Sequence, residues 1–182
     1  YVAQRYNDVE IINEFNVAGL VANPIQTLTH GLLLSFKPLN LDVLPLYIVL
    51  MAFFPPVLWM MLRKPDLTML ASLALYFAAR QFGWNLHSYP EGTWYFNPFA
   101  WQLLFMFGAW FALGGATASR SVIQSPVLLY LGGAYLLFSL VMTMAGRFPE
   151  LGAMFPSWLY DAFNPNDKTN LAPYRVLHFV II

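Results

Sequence analysis

The sequence predicts an all-α integral membrane protein, a fragment of a polytopic transmembrane helix bundle. Three observations carry this. First, 59% of the 182 residues are hydrophobic and only 10% are charged, against about a quarter charged in a soluble domain. So few charges cannot dress a soluble fold of this size, most of whose residues touch water. Second, the apolar residues fall in long uncharged runs of the length a bilayer crossing needs. Third, an aromatic content of 18% excludes disorder. The formal net charge of zero excludes electrostatic nucleic-acid binding as a main function. The absence of cysteine removes disulfides, thiolate catalysis and thiolate metal sites.

Four complete spans and a truncated fifth are expected, at about 43–62, 67–82, 98–118, 126–146 and 172–182. Twenty uncharged residues separate Asp42 from Arg63, 28 separate Glu91 from Arg120, and 26 separate Arg120 from Arg147. Only 13 separate Asp66 from Arg80, so the second span is short unless Arg80 and Gln81 enter the membrane. The segment 24–36 is apolar but too short to cross, which suits an interfacial or re-entrant helix.

Each boundary has a physical reason. Arg63-Lys64-Pro65-Asp66 places cations at a helix C-terminus, then a proline that cannot continue the helix, with Asp66 expected to cap the next one. Asp42 is placed to cap the first span. Asn97-Pro98 and Ser125-Pro126 read as N-cap followed by proline at the first helical position. Pro55-Pro56 removes two backbone donors in mid-span and predicts a kink there. The small residues Gly108, Ala112 and Ala116, with Gly114, Gly115, Gly132 and Gly133, are read as sites of close helix packing. Short turns at Arg63-Lys64 and Arg120 lie on one side, yet counting Lys and Arg leaves the orientation open. The chain opens Tyr1-Val2-Ala3 without an initiator Met and stops at Ile182 inside an apolar run, and is read as the middle of a longer protein.

Few residues can carry chemistry. Arg80 ends a short span, and a cation at membrane depth suggests either a carboxylate partner or simple snorkelling to the interface. The loop 84–97 packs Trp84, Asn85, His87, Glu91, Trp94, Tyr95 and Asn97 between two spans. Aromatic faces and amide edges suit a carbohydrate, while an interfacial aromatic belt explains the same rings without a ligand. Gln102, a lone amide in an apolar span, bonds to a neighbouring helix or to substrate. His30, His87 and His178 are each a possible base near neutral pH. His178 stands out by position, one helical turn after Tyr174 and Arg175. No histidine spacing matches a metal site, so no metal is expected. The segment 164–170 is turn chemistry and reads as a solvated loop.

Three runs together, FKPLNLDVLPLYIVLM at 36–51, WYFNPFAWQLLF at 94–105 and NLAPYRVLHF at 170–179, resemble the OpgC family of bacterial inner-membrane proteins. These are relatives of the acyltransferase-3 superfamily, linked to succinylation of osmoregulated periplasmic glucans. The resemblance implies a multi-pass enzyme of the inner membrane, with 1–42, 84–97 and 148–173 facing the periplasm. It implies an O-acyltransferase that takes a succinyl or similar group from succinyl-CoA, with no bound cofactor, to glucose hydroxyls of a periplasmic glucan. The implied catalytic base is a histidine upstream of Tyr1, leaving His178 and His87 as weak candidates here and the isolated fragment inactive. Under this reading Arg80 or Arg175 binds the succinyl carboxylate. Trp84, Trp94 and Tyr95 stack on sugar, and Asn85, Asn97 and Gln102 orient hydroxyls or the thioester. The expected partners are membrane lipid, acyl-CoA and glucan. A transporter or flippase for an acyl donor or glycan, making no bond, is the competing reading.

Overall fold

The computed structural model describes residues 18–36, 41–115, 117, 125–163 and 167–182. The expectations for the chain start, Ala116, Arg120 and 164–166 lie outside the described residues. Those described are helical almost throughout: α1 (Ala18–Ala22), α2 (Pro24–Leu32), α3 (Val43–Arg63), α4 (Pro65–Phe82), α5 (Pro98–Ala112), α6 (Pro126–Ala145), α7 (Pro149–Gly152), α8 (Ser157–Phe163) and α9 (Pro173–Ile181). The helical class holds, but the span count does not. Among the described residues only α3, with 21 residues, and α6, with 20, are both long and apolar enough to cross a membrane.

Each shortfall has a cause. Helix α4 has 18 residues but carries Asp66, Thr68, Ser72 and Arg80, which lower its apolar character. Helix α5 stops after 15 residues, about 23 Å at 1.5 Å per residue, short of a hydrocarbon core of about 30 Å. It stops because Gly114 takes a left-handed φ of 87°, and the Gly115 amide turns back to the Trp110 carbonyl at 3.0 Å. The described part of the expected fifth span, α9, has nine residues.

The caps sort unevenly. Asn97 accepts from the Phe99 amide and caps α5 as expected. Asp42 and Ser125 make no side-chain cap. Asp66 sits inside the first turn of α4, and its carboxylate accepts from Trp110 Nε1 at 2.9 Å, tying α4 to the end of α5. Helix α3 runs through Pro55 and Pro56.

The core forms where α4 and α5 pack together and α9 lies against them. Tyr76, Ala100, Leu103 and Leu171 are buried there, flanked by Leu73, Trp101 and Val176. Helix α9 also reaches α6, where the Tyr135 hydroxyl donates to the Tyr174 carbonyl at 3.1 Å. Most of α3 and α6 is exposed. The small-residue face of α5 is not a packing seam within the described residues: nothing would meet a Cβ at Gly108. Gly115 is different, since a Cβ there would fall on the Trp110 ring. Gly115→Ala is therefore expected to cost about 1–3 kcal/mol by overpacking, read as a lowered midpoint of thermal unfolding in detergent.

Candidate functional site

The candidate residues gather at one end of the α4–α5 pair, where two loops meet. Residues 84–97 connect α4 to α5, and residues 167–172 lead into α9. Gly83 ends α4 in a left-handed conformation, φ 66°, which a residue without Cβ adopts freely. The chain then turns back, with the Trp94 amide on the Leu86 carbonyl at 2.9 Å.

Arg80, on the last turn of α4, is half-buried and reaches the second loop. Its Nη1 donates to the Asn170 carbonyl at 2.8 Å and approaches the Leu171 carbonyl at 3.4 Å. Asp167 Oδ2 lies 3.6 Å away, the two side chains being 29% and 37% exposed. At that exposure the ion pair contributes modestly, and the hydrogen bonds to carbonyls matter more. One turn earlier the Tyr76 hydroxyl donates to the Leu171 carbonyl at 2.8 Å. Asp167 in turn accepts the Asn170 amide at 3.0 Å, the self-closing turn that aspartate favours.

Asn97 joins both loops. It is fully buried. Its Nδ2 donates to the Trp84 carbonyl at 2.6 Å and to Asn170 Oδ1 at 3.0 Å. Its amide meets the Thr169 carbonyl at 3.0 Å. Trp101 Nε1 adds a bond to the Lys168 carbonyl at 2.9 Å. Deeper in, Gln102 Oε1 accepts from Ser72 Oγ at 2.6 Å, and its Nε2 donates to the Ser72 carbonyl at 2.8 Å. Gln102 is thus a bond between α4 and α5. Asn85 is spent on the 84–97 loop itself, donating to the Trp94 carbonyl and accepting from the Leu86 amide, both at 2.8 Å.

The aromatic rings divide. Trp84 is 48% exposed and stacks beside Phe82 at 5.6 Å, and Tyr95 is 45% exposed. Trp94 is 3% exposed, so its faces are closed to a sugar in this arrangement. The OpgC protein family matches residues 1–182. The chain belongs to the OpgC family. No curated protein and no solved structure matches it. OpgC membership ties the chain to modification of osmoregulated periplasmic glucans, and with the long apolar α3 and α6 it makes this a membrane protein.

In this OpgC chain Arg175 and His178 stand on α9, while His87 belongs to the 84–97 loop itself. Arg175 is half-buried on α9 with its guanidinium 5.9 Å from the Tyr174 ring. His178 is half-buried on α9, its ring 6.3 Å from Tyr135. His87 is exposed and pairs with Thr93 through backbone. Among the described residues no cluster of His, Asp and Glu suits a metal. One pair escaped the sequence reading: Asp167 and Asn170 look like turn residues, but they anchor Arg80 and Asn97. His30, a candidate base in the sequence, stacks on Tyr89 with ring centroids 4.0 Å apart and planes 8° from parallel.

Proposed function

We propose that the full-length protein is an inner-membrane O-acyltransferase of several spans, moving a succinyl or similar acyl group from acyl-CoA to a glucose hydroxyl of a periplasmic glucan. The observation that carries this is the junction itself. Two exposed aromatic side chains, Trp84 and Tyr95, stand on a loop that Asn97 ties to the 167–172 loop, which the half-buried cation Arg80 also holds. Aromatic faces suit the C–H surface of a sugar ring, and a guanidinium suits a carboxylate. Arg80 holds the 167–172 loop through Nη1, and its guanidinium is the group offered to the free carboxylate of the acyl chain, with Arg175 the second candidate. Asn85, Asn97 and Gln102 serve as braces that hold these groups in place. The chemistry requires that the acceptor hydroxyl lose a proton and that the tetrahedral oxyanion be stabilised.

Cells with and without the full-length protein, compared by anion-exchange separation of their periplasmic glucans, test the reading. Succinylated, more acidic glucan is expected only with the protein; identical charge profiles would oppose the proposal. For the platform, Trp84→Ala is expected to raise the KM for glucan about 3- to 10-fold, the loss of roughly one aromatic stacking contact, with kcat little changed. Steady-state kinetics of the purified variant checks it.

A further inference from the structure

Helix α6 is apolar and long enough to cross a membrane, yet Ser139, Thr143 and Arg147 follow one another at intervals of four residues at its end. That spacing puts them on one helix face. Gly146 keeps helical dihedrals, φ −69° and ψ −20°, so Arg147 continues the face one step past the last turn. Between this face, α8 and α9 lies a cavity of about 270 Å³, whose lining includes these three residues, Phe163 and Tyr174. We propose that this cavity holds the headgroup of an anionic phospholipid, with Arg147 pairing to its phosphate. The proposal is independent of acyl transfer and needs only the membrane location.

The cavity is built rather than open. The Phe163 ring packs on Phe138 of α6 at 5.4 Å and on Tyr174 of α9 at 5.3 Å, so rings from three helices form its wall. Its electrostatics are one-sided. Among the described lining residues there is no carboxylate, and a guanidinium stays charged at any physiological pH. The negative end of α6 is screened, because the Met142 carbonyl accepts the Gly146 amide at 3.2 Å and the Met144 carbonyl accepts the amides of Arg147 and Phe148, both at 2.9 Å. The full charge of Arg147 therefore outweighs a helix-end charge of about half a unit. Thr143 Oγ1 donates to the Ser139 carbonyl at 2.8 Å, which makes Arg147 and the Ser139 hydroxyl the donors offered to a ligand.

Placement selects a lipid. Arg147 follows a 20-residue apolar helix, so it falls where hydrocarbon gives way to headgroups. Beyond it, Phe148, Met154 and Trp158 are exposed on and beside the short helices α7 and α8, and bulky rings at that level anchor a protein at the interface. Leu137 and Leu140 are exposed on α6 itself, an apolar surface for acyl chains. Ser139 lies about 12 Å deeper than Arg147 at 1.5 Å per residue, in the direction that runs from a lipid's phosphate to its ester carbonyls, which accept hydrogen bonds. The volume is just below the roughly 300–1,000 Å³ of small-molecule sites, room for a headgroup and not for several sugar rings.

The test titrates delipidated full-length protein in neutral detergent with phosphatidylglycerol, phosphatidylethanolamine and glycerol 3-phosphate, with bound molecules counted by native mass spectrometry. Phosphatidylglycerol is expected to bind most tightly and glycerol 3-phosphate most weakly. Arg147→Gln is expected to lower the affinity for phosphatidylglycerol about 5- to 10-fold, and Arg147→Lys to keep most of it. Ser139→Leu, which fills the floor of the cavity with Arg147 intact, is expected to lower it as well, and decides the matter if Arg147→Gln does not fold. Wild-type affinity for phosphatidylglycerol in a folded Arg147→Gln or Ser139→Leu overturns the assignment. If Arg147→Gln loses succinylated glucan instead, the cavity takes the carboxylates of the glucan. Equal binding of the two lipids also overturns the assignment, and glycerol 3-phosphate binding as tightly as phosphatidylglycerol would make this a site for a soluble anion.

Discussion

Asn97→Ala is expected to destabilise the full-length protein by about 2–4 kcal/mol, the largest stability effect of any single change at the junction. Three groups lose a partner at once. The Phe99 amide loses its cap, and the Trp84 carbonyl and Asn170 Oδ1 lose the donor supplied by the fully buried Asn97 side chain. A lost cap alone costs about 1 kcal/mol, and each stranded buried polar group about 1–3 kcal/mol, partly relieved by rearrangement. Asn97→Asp separates the two roles. It keeps an oxygen for the cap but turns a donor into a carboxylate facing two acceptors. It is expected to be destabilised as well at neutral pH. An Asp variant that melts with the wild type would reduce Asn97 to a helix cap. Thermal unfolding in a fixed detergent measures both.

Arg80→Ala is expected to have the largest effect on activity among the residues of the two-loop junction. Succinyl transfer should fall at least about tenfold, corresponding to about 1.4 kcal/mol, and Arg80→Lys should recover only part. An ammonium is a point charge and does not reproduce the planar fork that reaches several acceptors at once. Arg80 braces the 167–172 loop through Nη1, so loss of activity alone does not separate bracing from substrate binding. The choice of acyl donor does. If Arg80 meets the free carboxylate, the Ala variant loses its preference for succinyl-CoA over acetyl-CoA. Bracing alone lowers both donors equally. A stably expressed Ala variant with normal glucan succinate would remove Arg80 from the site.

The sequence made the strongest helices legible because their signals are local. The uncharged run after Asp42 becomes α3, the run after Ser125 becomes α6, and Asn97-Pro98 opens α5. The span count failed at Gly114-Gly115. A glycine pair signals close packing and helix termination alike, and here it terminates the helix. The inward turn of Trp94 and the outward turn of Trp84 were not legible, because a loop has no periodicity to assign faces. Nor was the bond from Arg80 to Asn170, which joins residues 90 apart in sequence. Local turn chemistry at 167–170 is the same for a solvated loop and for a brace. His30 and Ser35 are five residues apart and Tyr89 is far from both, so only their meeting in the fold gives the histidine its orientation.

Acyl transfer by this protein is tested most directly by mixing purified full-length protein in detergent with succinyl-CoA and neutral periplasmic glucan. Free CoA and glucan mass are then followed together. The predicted result is CoA release that depends on glucan, matched by succinyl adducts on the glucan. Glucan or acyl-CoA binding with neither CoA release nor a mass shift would contradict acyl transfer and favour movement of substrate without bond formation.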